Sequence, residues 1–270
     1  MDLNTIRTVL RPAARADLPI PHGGDAFLAG GTWLFSEPQR ELSRLIDLQT
    51  LGWPAITPHE DGVSLAATCT LAELDAHAAE ASWAASELIR RCCRALWGSF
   101  KIWNAATVGG NLCLALPASP MAALMTALEG RCTIWTPEGG SRVVPASGFV
   151  LGVQRNCLAG GEVLRRIELP KTALQSRFAL RQASLTAEGR SAALLIGRVA
   201  GPGLVLTVTA ATPRPLRLAF EFMPDEATLH DALDAAGRVA GWYDDVHGAP
   251  DWRRHMTLRL AAEIRAELAR

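Results

Sequence analysis

Short apolar runs alternate with turn residues along the first third of the chain. "DAFLAGG" (25–31) ends in a glycine pair and predicts a buried strand entering a turn. "RLIDL" (44–48) and "GVSLAAT" (62–68) predict further strands. The period then changes. "TLAELDAHAAEASWAASELIRRCCRALW" (70–97) is Ala-rich and predicts one helix or two, with Thr70 and Glu73 in capping-box spacing at its start. In "SPMAALMTALEG", Ser119 fits an N-cap, Pro120 the first helical position and Gly130 the stop. "RCTIWTPEGGSRVVP" (131–145) predicts a hairpin turning at Glu138-Gly139-Gly140, and "EVLRRIELP" (162–170) a strand closed by Pro170.

The pattern shifts near Lys171. "FALRQAS", "AALLIGRVA", "LVLTVTAA" and "LRLAFEF" are four strand-like runs, with a turn expected at Gly201-Pro202-Gly203. "DEATLHDALDAAGRVA" and "DWRRHMTLRLAAEIRAELAR" are amphipathic helices. Strands followed by helices predict a small α+β domain with an antiparallel sheet. The expected division is 1–170 and 171–270.

Composition narrows the partners. The chain has 270 residues, 49% hydrophobic, with 27 basic and 27 acidic residues. Without a basic excess, nucleic acid and anionic membranes are not expected partners. No apolar run nears the roughly 20 residues that span a bilayer. "MDLNTIRTVLRPAARADLP" lacks a basic stretch followed by an apolar one, so the cytoplasm is expected. The six cysteines show no CxxC and no metal-ligand spacing, and are expected to be reduced core residues.

Candidate chemistry sits in two glycine pairs. One is in "FLAGGTWL" (27–34), the other in "NAATVGGNLCLALPASP" (104–120). Backbone without Cβ approaches a ligand closely, and consecutive inward N–H groups form an anion site suited to phosphate. A neighbouring Thr or Asn adds a hydrogen bond without charge. A helix starting at Ser119 could aim its positive end at the same place. Each pair also fits a plain turn between a strand and a helix. Neither a G-x-G-x-x-G, a P-loop nor a G-x-S-x-G elbow is present. The six His are scattered, and Asp244-Asp245 lies in a loop-like stretch before the last helix. Trp33 and Trp103 adjoin the glycine pairs.

These stretches carry a resemblance. "FLAGGTWL", "LIDL", "NAATVGGNLCLALPAS" and "GGEVLRRIELP", in this order and spacing, resemble the FAD-binding medium subunit of molybdenum hydroxylases. That group includes xanthine dehydrogenase, CO dehydrogenase and aldehyde oxidoreductase. "YDDVHGAPDWRRHMT" is similar, more loosely, to the family's C-terminal domain. The resemblance implies an α+β fold: a PCMH- or vanillyl-alcohol-oxidase-type domain of two α/β subdomains holding FAD between them, then a CO-dehydrogenase-flavoprotein-like C-terminal α+β domain. It implies that Phe27, Leu28, Ala29, Gly30, Gly31, Thr32, Trp33 and Leu34 wrap the pyrophosphate. Thr107, Gly109, Gly110 and Asn111 close from the other side. Ser119 lies near the cofactor, Leu164 packs near the flavin ring, and Arg181 brings a basic group close to it.

The implied function is an electron-transfer oxidoreductase subunit, without catalytic side chains or metal of its own. Its implied partners are a molybdopterin-binding large subunit and a [2Fe–2S] small subunit, in a heterotrimer that can itself dimerise. The acceptor is NAD, oxygen or a quinone. Three departures bear on the cofactor: Trp33 where many relatives have Asp, Pro120 where many have Asp, and Ile102-Trp103-Asn104 where IRN is usual. They motivate an alternative, a cofactor-free structural or assembly subunit of the same complex. A self-contained flavin reductase is a third possibility, lacking a persuasive acid or base.

Overall fold

The computed structural model describes residues 3–96 and 98–270. Trp97, the last residue of the long helical stretch, lies outside them. Three short parallel strands come first: β1 (Thr8–Leu10), β2 (Asp25–Leu28) and β3 (Arg44–Asp47), in the order β1-β3-β2. Parallel pairing needs cover on both faces, and Leu45 and Ile46 of the central strand are accordingly buried.

A five-stranded antiparallel sheet follows, ordered β4-β5-β10-β6-β7. Its strands are β4 (Ile56–His59), β5 (Gly62–Ala66), β6 (Arg131–Trp135), β7 (Ser141–Pro145) and β10 (Val163–Pro170). The predicted β6–β7 hairpin forms, and the 162–170 strand inserts between β5 and β6. The Ala-rich stretch is two helices, α1 (Leu71–Glu80) and α2 (Ser86–Ala95), and Thr70 and Glu73 close the capping box on α1. Three more helices fill the space to β6: α3 (Phe100–Ala105), α4 (Val108–Leu114) and α5 (Pro120–Ala127). A two-stranded ribbon, β8 (Val150–Gly152) with β9 (Arg155–Asn156), packs beside α4.

From β10 the short helix α6 (Lys171–Leu174) leads to a four-stranded antiparallel sheet, β11 (Phe178–Ala183), β12 (Ala193–Ala200), β13 (Gly203–Thr209) and β14 (Leu216–Phe220), paired in chain order. Its turn falls at Gly201-Pro202. The helices α7 (Glu226–Ala240) and α8 (Pro250–Leu268) cover one face with Leu229, Leu233, Leu260 and Ile264. Gly197 lets α8 close on β12, since a Cβ there would sit 2.3 Å from Ile264 Cγ2. The opposite face packs on α5. Both faces being covered, β12 and β13 are buried along nearly their whole length.

All eight residues of α5 are buried between the two sheets. Ser119 caps it as expected, accepting from the Ala122 amide at 3.1 Å, with Pro120 following. The stop differs by one residue. Glu129, at φ +55°, takes the left-handed position, and Gly130 donates back to the Met125 carbonyl at 2.8 Å. The Glu129 carboxylate accepts from Arg198 of β12 and, at 2.9 Å, from Arg217 of β14, which holds a conformation unusual for Glu. The six cysteines are free thiols.

Candidate functional site: a cavity between two glycine pairs

The first glycine pair leaves β2 as predicted. Gly30 runs against the end of α3, where a Cβ would fall 1.7 Å from the Ala105 carbonyl oxygen. Gly31 is left-handed at φ +69°. The loop is braced from beyond: the Phe35 amide donates to the Gly31 carbonyl at 2.8 Å, and Ser36 Oγ to the Thr32 carbonyl at 2.6 Å. Among the described residues, the amides of Gly30, Gly31, Thr32, Trp33 and Leu34 donate to no other group of the chain. Five successive uncommitted N–H groups around a left-handed glycine suit an oxyanion such as a diphosphate.

The second pair is a different object. Thr107 is not part of a loop but the N-cap of α4, and Gly109, Gly110 and Asn111 lie in its first turn. Their amides are spent inside the protein. Val108 donates to Cys69 O at 2.8 Å, Gly109 to Ala67 O at 2.9 Å, and Gly110 to Thr107 Oγ1 at 2.9 Å. Two turns gripping one diphosphate from both sides is therefore not the arrangement, because only the first has amides to offer. Gly109 is glycine for packing, since a Cβ would meet Ala67 Cβ at 2.5 Å. Gly110 is exposed, and among the described residues a Cβ there would meet only the Thr107 hydroxyl, at 2.7 Å.

Both pairs border one cavity of about 530 Å³. Phe27, Ala29, Gly30, Gly31, Thr32, Trp33, Leu34, Thr107, Gly109, Gly110, Asn111 and Leu164 line it. Leu28, Ser119 and Arg181 do not. Leu28 belongs to β2 beside Phe27. Ser119 is buried, and its hydroxyl donates to Asn111 Oδ1 at 2.7 Å, an oxygen that also accepts from the Met121 amide at 3.1 Å. The start of α5 is thus capped from within, and Pro120 lies off the cavity. Arg181 sits on β11, paired with Glu263 at 3.2 Å and Glu267 at 2.6 Å of α8. Trp103 uses its indole N–H to hold the Leu96 carbonyl at 2.9 Å. Asp245 is engaged by Arg253, far along the chain from either pair.

The cavity also takes residues the sequence does not point to. Arg190, exposed on the turn between β11 and β12, lines it and has no carboxylate partner among the described residues. Glu162 lines it as a buried carboxylate. Arg142 binds it through Nε at 2.7 Å and Nη2 at 2.5 Å, and the Ala159 amide donates at 2.8 Å. The Arg142 contact, ahead of the opposing effect of burial, holds the Glu162 carboxyl below its ordinary value. The Cys113 thiol, also on the wall, is pushed up to about 12 by burial and then by Cys157, so it is not a thiolate nucleophile at neutral pH. Leu48, Leu96, Leu114, Leu116 and Leu158 make the remaining wall apolar. No sequence signal marks Arg190, because the pairing of β11 with β12 is what carries it here.

A family model described as the FAD binding domain in molybdopterin dehydrogenase matches residues 13–172, more than half of the chain. The chain belongs to that family. Its cofactor is FAD, and the family is the one found in molybdopterin dehydrogenases. Among curated proteins, the beta subunit of caffeine dehydrogenase from Pseudomonas sp. (strain CBB1) is 39% identical over 70 residues, 26% of this chain and 24% of that protein. Xanthine dehydrogenase 1 of Arabidopsis thaliana is 35% identical over 72 residues, 27% of this chain and 5% of that protein. The matched stretch thus spans a quarter or less of these relatives.

Solved structures extend the likeness to nearly the whole of this chain. Quinoline 2-oxidoreductase from Pseudomonas putida 86 aligns with TM-score 0.78 at 20% identity, covering 99% of this chain and 98% of that one. CO dehydrogenase from Oligotropha carboxidovorans aligns with TM-score 0.81 at 21% identity, covering 97% and 98%. At these identities the likeness is one of fold, and it includes the C-terminal sheet and helices. Among the described residues no helix is long and apolar enough to cross a membrane.

Proposed function

We propose that this chain is the electron-transfer flavoprotein subunit of a heterotrimeric molybdenum hydroxylase, with FAD in the cavity between the Gly30–Leu34 loop and α4. The row of five uncommitted amides on that cavity carries the reading. A dinucleotide brings a doubly negative diphosphate and two flat rings. The amides suit the first, and the apolar walls suit the second by excluding water. Bound FAD supplies the exchange between single electrons and electron pairs.

A [2Fe–2S] subunit delivers the electrons and a molybdopterin subunit oxidises the substrate, with NAD, oxygen or a quinone as acceptor. The chain does not act on substrate alone. Its cavity carboxylate, Glu162, is committed to Arg142, and Asp245 to Arg253, which leaves neither for proton transfer. The complex works in the cytoplasm, and the chain divides at residue 170 into an FAD-binding domain and a C-terminal domain. Trp33 leaves the main-chain amides in place and Pro120 stands off the cavity, so neither departure favours a cofactor-free subunit. Reconstituting the purified chain with FAD, desalting it and recording its visible spectrum tests the assignment. Stoichiometric retained flavin is expected, and a colourless protein overturns it.

A further inference from the structure

One half-buried cation outside the cavity makes no direct ion pair among the described residues, and of the carboxylates only the nearby Glu168 acts on it through space. Arg165 on β10 lies 4.3 Å from the centroid of Trp53 and 5.6 Å from that of Trp135. The two indoles meet edge to face at 5.3 Å, and Arg15 packs on Trp135 at 4.6 Å. Among the described residues no ion pair or side-chain hydrogen bond involves Arg165. Such a guanidinium is held in contact by the ring quadrupoles, with the Glu168 carboxylate attracting it from farther off. It also sits at an irregularity, since the register of β10 against β6 shifts between Leu164 and Arg166 and leaves Arg165 unpaired there.

The main chain at this bulge leads to the cavity. The Ala67 amide donates to the Arg165 carbonyl at 3.1 Å, and the Gly109 amide donates to the Ala67 carbonyl at 2.9 Å. Ala67 and Gly109 both line the cavity, as does Leu164 next to Arg165. The rings tie in as well. Trp135 is the direct partner of Val163, another wall residue, and Trp53 follows the turn begun by Leu48.

We propose that Arg165, clamped by Trp53 and Trp135, is a positioning residue for the flavin site. It sets the β10 bulge, and through Ala67 that bulge sets the first turn of α4 against the cofactor. The inference rests on FAD occupying this cavity. Bulges commonly re-aim side chains beside functional sites and are fixed by local contacts. A surface cation–π cluster is thereby given a role inside the pocket.

The test uses the full chain. Arg165→Leu keeps apolar bulk against the rings and removes the charge, Arg165→Lys keeps a cation between the rings, and Trp53→Leu removes one ring. FAD affinity is read by flavin fluorescence, the setting of the ring by visible circular dichroism of bound flavin, and apo-protein stability by thermal unfolding. Arg165→Leu and Trp53→Leu are expected to weaken FAD binding about fivefold to tenfold and to alter the flavin dichroism, and Arg165→Lys to restore both. A folded Arg165→Leu protein with wild-type affinity and dichroism overturns the proposal, even if its unfolding midpoint falls. If Arg165→Leu does not fold, Trp53→Leu decides by the same criteria. A wild-type chain that binds no FAD counts instead against the function proposed above.

Discussion

Two glycine pairs that look alike in the sequence do different work. "AGGT" and "VGGN" share an apolar lead and a small polar follower, but only the first keeps its amides free. The distinction is not local. It depends in part on Ala67 and Cys69, some forty residues before Gly109, whose carbonyls take the Gly109 and Val108 amides, while Thr107 takes the Gly110 amide locally. The structure separates the glycines further. Gly109→Ala forces a Cβ to 2.5 Å from Ala67 Cβ, an overpacking that costs about 1–3 kcal/mol of stability. Gly110→Val projects instead from an exposed position on the cavity wall. It is expected to weaken FAD binding about tenfold to a hundredfold while shifting the unfolding midpoint less than Gly109→Ala does. Chemical denaturation of both apo-proteins beside FAD titrations checks the pair of outcomes. Equal loss of affinity in both, each in step with lost stability, contradicts the assignment of Gly110 to the wall.

At the scale of elements, legibility follows how local the cause is. The capping box of α1, the Ser119-Pro120 start of α5, the β6–β7 hairpin and the four C-terminal strands are each written within a few residues, and each is present. The α4 helix is not legible locally, because its glycines have low helix propensity and fit a plain turn equally well, and bonds to Ala67 and Cys69 override that. The stop of α5 is misplaced for a similar reason. A glycine is the expected left-handed residue, yet Glu129 occupies the position because Arg198 and Arg217 arrive from strands 69 and 88 residues on. Glu129 thereby ties the helix buried between the sheets to the C-terminal sheet. Arg198 is only 5% exposed, so removing its partner strands a buried cation. Glu129→Ala is expected to cost about 2 kcal/mol, discounted from the fully buried case because the Glu129 side chain is 38% exposed. Urea unfolding measures it. A cost near zero means that water solvates both arginines once the carboxylate is gone, and that the contact does not couple the two sheets.

For the whole molecule, a formal charge of zero conceals how charge is distributed. The resemblance implies Arg181 as the basic group near the flavin. In the folded chain Arg181 is neutralised by Glu263 and Glu267, while Arg190, nine residues later across a turn, reaches the cavity. Position along a strand decides this. Arg181 lies within β11, where the alternation of the pleat and the proximity of α8 fix its side chain among carboxylates. Arg190 lies beyond the strand end, where the chain passes the cavity. With Glu162 satisfied by Arg142, Arg190 is, among the described residues, the cation on the wall that remains to meet a doubly negative dinucleotide. Arg190→Gln is therefore expected to raise the FAD dissociation constant about fivefold at low ionic strength. The difference should shrink with added salt, because an exposed charge is screened within about 10 Å at 0.1 M. Arg181→Gln is expected to leave the affinity and its salt dependence nearly unchanged, since Arg181 lies off the cavity wall and the carboxylates it leaves behind are exposed to screening. Titrating FAD into both variants at two salt concentrations decides between the two arginines. A salt-dependent loss in Arg181→Gln with none in Arg190→Gln reverses the assignment, and with it the view that the C-terminal sheet reaches the cofactor through its first turn.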